Sequence, residues 1–430
     1  MVASARIDGC LRAANPADAT GFVLSGGWAA EYDWINDRPA LSNTPRRLSD
    51  VGFPPGFDRN VDGALRGKAA FAPFLYIFRG GQYARLRQND MGLDGTGPLS
   101  AWGLPAAWTT VDAVFPGGGS REGFAYFIRG DEYLRYEWSS DSLNPPFVRK
   151  IGQGFTMAPP FTANIDGVVV GQASFSTKAY LFATATGTVD DDGTATAGGG
   201  HTVSFPIYAR YNFDTEQTEA QDVDPMGAVS NWGGLMPLLD AGLATETALA
   251  WLDGAIPAMA AEQANPASPV PGVDSALLHH FQTGPTAAVM TAVLGRLTAL
   301  RARVNSIPDR FSYDPALAVA AETIPATSTH IGTRFSTREG PNGRAAQLIH
   351  ESVHFTYAGP PPPPPPLVDI PEWSGATIGG VTFGVDPISH RPYSSLTAAE
   401  ALENAASYPS LAEEIVFGAD ERFGEGRPQE

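Results

Sequence analysis

Cysteine is almost absent from this 430-residue sequence, in which Cys10 is the only one. A single cysteine excludes internal disulfides and any metal site built from several thiolates. Charged residues are also sparse, at 17% of the chain, and acidic residues outnumber basic ones by 46 to 28. The resulting net charge of −18 argues against a nucleic-acid partner, because binding to phosphate backbones requires a basic face.

Long apolar runs are absent as well. No run approaches the roughly 18 residues that a membrane-spanning helix requires, so the sequence predicts no membrane span. The first residues lack a basic segment followed by an apolar stretch, and we therefore expect no secretory signal. The expected location is the cytoplasm, or outside the cell after export by a route that needs no signal.

Glycine, proline and apolar residues are plentiful, with 47 Gly, 37 Pro and 43% hydrophobic residues. That apolar content is sufficient for folded cores and excludes a disordered chain. The frequent Gly and Pro favour tight turns between short elements. At about 150 residues per domain, the length allows two large domains or three smaller ones.

Four copies of one unit occupy the first half of the chain. Each begins with an apolar residue, an aspartate and a small residue: Ile7-Asp8-Gly9, Val61-Asp62-Gly63, Val111-Asp112-Ala113 and Ile165-Asp166-Gly167. Two aromatic-rich segments joined by a Gly-containing turn follow, which is typical of a β-hairpin. In the fourth copy, an insert from about residue 184 to residue 205 separates these two segments. Three copies end with an aromatic residue near Gly or Pro: Phe53, Trp102 and Trp232.

A repeat of about 50 residues with several short strands is typical of a propeller blade, and four blades can close a ring. The copies resemble hemopexin-like repeats over roughly residues 5–236. The resemblance implies a four-bladed β-propeller with a central channel that holds Ca²⁺ or another ion. It also implies that the propeller recognises a protein or glycan partner. The channel would be lined by Asp8, Asp62, Asp112 and Asp166; alternatively, these aspartates only cap strands and turns.

The second half, from Thr245, is rich in Ala and Leu. Apolar residues spaced three and four apart predict one long amphipathic helix, which Pro308 ends. Residues 328–335 are predicted as a strand. Thr397 and Glu400 form a capping box for a last helix, and Pro409 is expected to end that helix. The apolar stripe of the long helix consists of Val289, Val293, Leu297, Leu300, Val304 and Ile307.

The most specific motif is His350-Glu351-Ser352-Val353-His354. On a helix, residues four apart project from the same face, so both imidazoles can bind one cation. Glu351 lies beside them, where its carboxylate can take a proton from water. This is the HExxH arrangement of zinc hydrolases. Apolar neighbours predict a buried helix, in which two histidines without a ligand would leave polar groups unpaired at about 1–3 kcal/mol each.

Two imidazoles alone do not hold zinc, so a third protein ligand is needed. Seven prolines, 360–366, follow the helix and predict a stiff extended segment. Beyond them, Asp369 is the favoured ligand, because Val368 and Ile370 flank it with apolar side chains. The other candidates are Asp386, which is the main alternative, Glu372 and His390.

An HExxH helix, a downstream aspartate and a closing Asn404-Ala-Ala-Ser407-Tyr408 segment resemble the aspzincin metalloendopeptidases, the deuterolysin and Lys-specific group. The resemblance covers about residues 245–418 and implies that His350, His354 and an aspartate bind Zn²⁺. The family's ligand motif, Gly-Thr-x-Asp-x-x-Tyr-Gly, is not intact here. Three residues after Asp369, Glu372 stands where the family has tyrosine. This departure affects the expected proton donor and the expected catalytic efficiency more than it affects the expected binding of zinc.

These patterns predict a multidomain chain, with an all-β four-bladed propeller over residues 1–240 and a mainly helical α+β zincin-like domain over residues 241–430. The predicted function is a zinc metalloendopeptidase that acts on a protein or peptide substrate. In it, Zn²⁺ is bound by His350, His354 and Asp369, and Glu351 is the catalytic base. The alternative is a binding or toxin-like protein in which a hemopexin-like propeller accompanies a catalytically weakened zincin scaffold.

Overall fold

In the computed structural model of the chain, the described residues are 2–3, 5–12, 19–40, 44–145, 148–189, 201–222, 232, 234–317, 320–324, 327–337, 340–356, 376–378, 381–383 and 396–418. The chain divides into two compact units, Ala3–Leu243 and Ala244–Glu430. Antiparallel sheets make up the N-terminal half and helices dominate the C-terminal half. Among the described residues, no helix combines the length and the apolar character needed to cross a bilayer.

The described part of the first unit forms four antiparallel sheets, and apart from one N-terminal strand that joins the fourth sheet, the strands of each sheet follow one another along the chain. After β1 (Val2–Ala3), the first sheet contains β2 (Gly9–Arg12), β3 (Thr20–Ser25), β4 (Trp28–Asp33), β5 (Arg38–Pro39) and β6 (Arg46–Arg47). The second contains β7 (Gly63–Arg66), β8 (Phe74–Arg79), β9 (Gln82–Arg87) and β10 (Leu93–Pro98).

The third and fourth sheets repeat the same order of strands. The third contains β11 (Ala113–Pro116), β12 (Phe124–Arg129), β13 (Glu132–Glu137), β14 (Ser142–Leu143) and β15 (Arg149–Lys150). The fourth contains β16 (Gly167–Val170), β17 (Lys178–Val189), β18 (His201–Asn212), β19 (Gln217–Asp222) and β1. Short helical turns connect strands at Ala69–Phe71, Leu99–Trp102, Gly119–Arg121, α1 (Ile151–Gly154) and Ala173–Phe175.

The turn between the second and third strands of the first three sheets depends on glycine. Gly26, Gly80 and Gly130 have φ of 57°, 58° and 61°. A residue with a Cβ rarely adopts this left-handed conformation, whereas glycine does so without steric cost. The Gly-containing turns that the sequence predicts are therefore present, and each joins two antiparallel strands.

In the fourth sheet the insert continues the hairpin. Strands β17 and β18 pair without interruption from Lys178 opposite Asn212 to Val189 opposite His201. The insert therefore lengthens the hairpin, because the ladder of backbone hydrogen bonds extends into it. The tip of the insert, residues 190–200, lies outside the described residues.

The four sheets of this unit contact one another in cyclic order. Strand β2 contacts β7, β7 contacts β11, β11 contacts β16, and β16 contacts β2. Each of these is the first strand of its sheet and follows directly after one of the repeated aspartates. The starts of the four repeats therefore lie around a common centre.

The aromatic residues near the ends of the repeats pack between sheets in the same cyclic order. Phe53 belongs to a core shared by the first and second sheets. The ring of Trp102 contacts Tyr76 of the second sheet and Tyr136 of the third. A fourth aromatic residue that the sequence analysis missed, Phe155, contacts rings of the third and fourth sheets: Tyr126, Tyr133 and Tyr211.

Trp232 completes this cycle between the fourth sheet and the first. Its ring lies 5.1 Å from that of Tyr180 in the fourth sheet and 4.9 Å from that of Tyr32 in the first. The side chain is 3% exposed. Truncation of such a residue to alanine typically costs about 3–5 kcal/mol, so Trp232 contributes strongly to the contact between the first and last repeats.

The second unit is mainly helical in its described residues. The long helix α2 begins in the first unit. The helices are α2 (Leu235–Ala264), α3 (Val273–Phe281), α4 (Ala287–Ser306), α5 (Arg334–Thr337), α6 (Pro341–Thr356), α7 (Ala398–Glu403) and α8 (Ser407–Phe417), with a helical turn at Ile307–Arg310. The strands are β20 (Phe311–Tyr313), β21 (Ala321–Ile324), β22 (Ser328–Ile331), β23 (Ala376–Ile378) and β24 (Val381–Phe383).

Helix α4 agrees with the apolar stripe that predicts it. Thr286 caps its start by accepting a hydrogen bond from the backbone of Val289. Val293 and Leu297 are buried, and α4 packs on α6. The residues of the stripe therefore form part of the core beneath the helix that carries the HExxH motif.

Two local predictions for this unit are wrong. The strand expected over residues 328–335 ends at Ile331, because the chain turns at Gly332 into the short helix α5. The capping box of Thr397 and Glu400 is present at α7, but Pro409 lies in the first turn of α8. Proline is tolerated there because the backbone N–H groups of a first helical turn have no partner within the helix.

Candidate functional site

The HExxH residues lie near the C-terminal end of α6. At the start of the helix the buried Arg344 donates hydrogen bonds to the carbonyls of Phe335 and Ser336, at 2.9 and 3.0 Å. Ile349 and Val353 are buried in the main core of the unit. Helix α6 contacts α4, α8 and strand β21, so the motif is carried by a helix fixed on several sides.

The two histidines of the motif face each other on this helix. Their Nε2 atoms lie 3.1 Å apart, and their ring centroids lie 4.8 Å apart with planes inclined by 71°. His350 is 3% exposed, whereas His354 is half-buried. The pair therefore reaches from the interior toward the surface, with both Nε2 atoms directed at the same small volume.

This geometry fits two ligand positions of one zinc ion. Zinc–imidazole bonds of about 2.0–2.1 Å at a tetrahedral angle place the two nitrogen atoms about 3.3 Å apart. The separation of 3.1 Å in the structure differs from this by a few tenths of an ångström. Small side-chain rotations would provide the remaining adjustment.

The described part of the chain shows no third side chain that joins the two histidines as a metal ligand. In that part, no group of three or more His, Cys, Asp or Glu side chains is arranged to hold a metal ion. The favoured ligand, Asp369, and the alternative, Asp386, both lie outside the described residues, as do Glu372 and His390. The identity of the third ligand therefore stays a prediction from the sequence.

Glu351 is held in place by two residues that the sequence analysis missed. It is 4% exposed, and its Oε1 accepts a hydrogen bond of 2.7 Å from Nε2 of Gln347. Its backbone carbonyl accepts one of 3.3 Å from Oγ1 of Thr323 on β21. Gln347 could have been found from its spacing, because residues four apart on a helix are neighbours. Thr323 lies 28 residues before Glu351, so no helical spacing in the sequence indicated that the two residues are in contact.

Tyr408, in the segment that resembles the closing helix of the aspzincins, has a structural role. Its hydroxyl donates to the carbonyl of Leu402 at 2.6 Å and lies 2.6 Å from Nη1 of Arg296, which donates to it. The side chain is fully buried. Asn404 and Ser407 bond to each other at the junction between α7 and α8. This segment therefore joins two helices.

A second group of titratable residues links α3 to α8. Nε2 of His280 lies 2.8 Å from Oε2 of Glu414, and Nδ1 of His279 lies 3.0 Å from both carboxylate oxygens. Burial raises the pKa of Glu414, but the hydrogen bonds and charges of the two histidines outweigh it and hold this pKa below its ordinary value. These residues are 134 and 135 positions apart in sequence, so no local pattern pointed to the cluster.

The four aspartates expected to line a channel share one hydrogen-bonding role. The carboxylates of Asp8, Asp62 and Asp112 accept the backbone N–H of the turn glycine 18 residues further on, at 2.6, 2.5 and 2.6 Å. Asp166 accepts the hydroxyl of Thr184 at 2.6 Å, also 18 residues further on. The first three carboxylates thus fix the turns of their hairpins, and Asp166 bonds to a strand of its own, longer hairpin. Their predicted role in binding an ion stays a prediction.

Arg6 contacts two of these aspartates. Its Nε donates to Oδ1 of Asp8 at 2.8 Å, and its Nη1 lies 3.9 Å from Oδ1 of Asp166. Burial raises the pKa of Asp8 above its ordinary value, although Arg6 opposes the shift. Burial raises the pKa of Asp62 to about 7; the amide of Gly80 and Arg6 oppose this shift, and the charges of Asp8 and Asp112 reinforce it.

Comparison with protein families gave no match to any family model. Among curated proteins, stromelysin-1 of Mus musculus is 28% identical over 116 residues. That segment covers 27% of this chain and 23% of stromelysin-1. The chain therefore spans about a quarter of the length of this relative.

Solved structures similar to parts of the chain are distant. The hemopexin fold protein CP4 from cow pea has a TM-score of 0.34 and 17% identity, and the match covers 48% of this chain and 86% of CP4. A plant lectin with two metal binding sites from Cicer arietinum has a TM-score of 0.35 and 17% identity, and the match covers 52% of this chain and 92% of the lectin. A zinc peptidase from Grifola frondosa has a TM-score of 0.29 and 16% identity, and the match covers 42% of this chain and 95% of the peptidase. Likenesses this weak do not establish a fold or an activity.

Proposed function

We propose that the chain is a zinc-dependent endopeptidase whose N-terminal unit is a four-bladed, hemopexin-like propeller. The observation that carries the enzymatic part is the facing pair of His350 and His354, together with the buried Glu351 on the same helix, whose carboxylate is hydrogen-bonded to Gln347. The cyclic contacts of the four first strands and the ring of Trp232 between the last and first sheets support the propeller.

In the proposed reaction, His350 and His354 hold the metal through Nε2, with Asp369 as third ligand and Asp386 as its alternative. Zinc, when bound, supplies a Lewis acid that polarises a carbonyl and acidifies water. The Glu351 carboxylate accepts the proton of the attacking water and then donates it to the leaving amine. Gln347 orients this carboxylate by its hydrogen bond to Oε1.

We further propose that the propeller serves recognition of a protein or a glycan. The four repeated aspartates and Arg6 bond within their own hairpins or to one another, which fits a structural role for them. In this proposal, the first unit recognises the partner and the second unit hydrolyses the peptide bond.

The test is zinc content and peptide cleavage in the full chain. We expect zinc bound to the purified protein by elemental analysis, and cleavage of casein that falls about 10²–10⁴-fold in Glu351→Gln. Asp253→Asn is the matched control, since it also removes one carboxylate charge from the second unit, at an exposed ion pair with Arg301. This control should cleave casein at the rate of the unchanged protein.

The outcomes separate the two candidate functions. Zinc without any cleavage that depends on Glu351 would favour the alternative, a binding or toxin-like protein with a weakened zincin scaffold. Absence of zinc together with absence of cleavage would contradict the proposed metal site. Cleavage that survives in Glu351→Gln would show that another group is the base.

A further inference from the structure

The aspartates that begin the four repeats concentrate negative charge at one end of the first strands. Asp8, Asp62, Asp112 and Asp166 each directly precede a first strand, and those strands contact one another in a cycle. We call these four residues the aspartate ring. Each residue uses Oδ2 to fix its own hairpin, so that one oxygen of every carboxylate is already engaged.

The guanidinium of Arg6 bridges two members of this ring that lie far apart in sequence. It donates to Oδ1 of Asp8 at 2.8 Å and lies 3.9 Å from Oδ1 of Asp166. Asp8 begins the first repeat and Asp166 the fourth, so Arg6 links the two repeats at which the cycle closes. Its charge also acts on Asp62 in the second repeat.

The backbone on both sides of Arg6 is fixed, which directs the side chain toward the ring. The N–H of Ala5 donates to Oδ1 of Asp240 at 2.6 Å, and Ala5 is 2% exposed. Ile7, on the other side, is fully buried. The segment that carries Arg6 is therefore held independently of the ion pair.

We propose that Arg6 is the resident cation of the aspartate ring and that its guanidinium joins the first repeat to the fourth in place of a bound metal ion. A Ca²⁺ ion takes six to eight oxygen ligands. The ring has committed its Oδ2 atoms to the hairpins and its Asp8 Oδ1 to Arg6. A metal ion at this end would be repelled by the positive guanidinium and would have to displace it from Oδ1 of Asp8. This inference does not depend on the proposed peptidase activity.

The electrostatics of the ring agree with this assignment. Burial lowers the pKa of Arg6, but the charge of Asp8, the hydrogen bond to it and the charges of Asp166 and Asp62 outweigh burial and raise this pKa above its ordinary value. Arg6 in turn lowers the pKa of Asp8 and of Asp62, against burial. The arginine and the ring therefore stabilise each other's charged forms.

The experiment compares thermal unfolding of the full chain with and without Ca²⁺ at constant ionic strength. Six of the eight tryptophans lie before residue 241, so tryptophan fluorescence reports mainly on the first unit. We expect Arg6→Gln to lower the melting temperature by about 2–4 °C. Millimolar CaCl₂ should restore part of this loss in the variant and leave the unchanged protein unaffected.

Arg6→Lys keeps the charge and should retain most of the stability, with no response to Ca²⁺. Arg79→Gln is the control for loss of an arginine in the same unit, because Arg79 bonds to the carbonyl of Gly56 and not to a carboxylate of the ring. It should show no response to Ca²⁺. If Arg6→Gln does not fold, the double variant with Asp62→Asn should recover folding, since the ring then carries less negative charge.

Three results would overturn the inference. The first is a rise of the melting temperature with Ca²⁺ in the unchanged protein that equals the rise in Arg6→Gln. The second is an Arg6→Gln protein that melts like the unchanged protein and does not respond to Ca²⁺. The third is failure of both Arg6→Gln and its double variant with Asp62→Asn to fold. Folding would then not depend on the repulsion between the aspartates of the ring.

Discussion

The side-chain amide of Gln347 donates a hydrogen bond of 2.7 Å to Oε1 of Glu351, one helical turn further along α6. Glu351 is buried, and the backbone carbonyl of the same residue accepts a hydrogen bond from Thr323. The hydrogen bond from Gln347 therefore restricts rotation of the carboxylate, and the one from Thr323 fixes the backbone that carries it. In the proposed reaction, the general base must lie within hydrogen-bond reach of the proton that it accepts, so we expect catalysis to depend on this contact.

Replacement of Gln347 should therefore slow the reaction without loss of the metal. In Gln347→Met the side chain keeps its length but loses the amide that orients Glu351. We expect kcat to fall about tenfold, which corresponds to about 1.4 kcal/mol, with KM and zinc content little changed. Steady-state kinetics on a peptide substrate, together with elemental analysis, measure these quantities.

The control for this prediction is Gln263→Met. Nε2 of Gln263 donates to Oγ1 of Thr291 at an exposed position, so the variant loses an amide hydrogen bond away from the motif. Its kcat should equal that of the unchanged protein. An unaltered kcat in Gln347→Met, or loss of its zinc, would show that Gln347 does not act by orienting Glu351.

The two histidines should prove essential for the metal. His350→Ala and His354→Ala each remove one of the two nitrogen atoms that lie 3.1 Å apart. We expect zinc to be lost from both variants and the melting temperature of the second unit to fall, because metal binding is coupled to folding. His330→Ala, at a histidine that bonds to Ser312 and Ser328, should keep its zinc. Unchanged zinc in either motif variant would exclude the site.

Features set by local sequence were predicted well. The hairpins of the first unit follow from aromatic-rich segments around glycine turns, and α4 follows from apolar residues spaced three and four apart. Both patterns lie within about 20 consecutive residues, and over that length the structure follows from backbone geometry and from burial of the apolar face of the helix or hairpin. The capping box at Thr397 and Glu400 belongs to the same class, since two side chains meet within one turn.

Features that depend on tertiary contacts were missed. Arg6 and Asp166 are neighbours only because the first and fourth repeats meet, and Thr323 reaches Glu351 only because β21 packs on α6. Pro409 was misread for a different reason. Proline ends a helix when it follows the last turn but is favourable in a first turn, and the sequence alone did not reveal that a new helix begins at Ser407.

The third zinc ligand remains open to a direct test. We expect Asp369→Ala to reduce zinc affinity far more than Asp386→Ala. Val368 and Ile370 flank Asp369 with apolar side chains, so its carboxylate would lie in a partly dry site where a cation offsets its desolvation. Asp386 precedes a proline in a glycine-rich stretch, which is typical of an exposed turn. Competition with a chelator of known affinity measures both variants, and the reverse order would assign the ligand to Asp386.

The carboxyl of Asp62 should make the first unit less stable as the pH rises. Burial raises its pKa from the ordinary value of 3.8 to about 7; Gly80 and Arg6 oppose this shift, while Asp8 and Asp112 reinforce it. A carboxyl with a higher pKa in the folded chain binds its proton more tightly when folded. Stability therefore falls as the pH rises from about 4 to about 7.

Asp62→Asn keeps an oxygen that can accept the N–H of Gly80 but removes the charge. We expect this variant to exceed the unchanged protein in unfolding free energy by about 2–4 kcal/mol at pH 8, and the difference to vanish near pH 4. Asp131→Asn should be less stable than the unchanged protein at pH 8, because the hydrogen bond from Lys150 lowers the pKa of Asp131, and the stabilisation by its charge is lost only below about pH 4. Urea unfolding followed by tryptophan fluorescence between pH 4 and 8 measures all three proteins. If Asp62→Asn is destabilising at pH 8, the charged carboxylate stabilises the ring and its buried environment does not oppose ionisation.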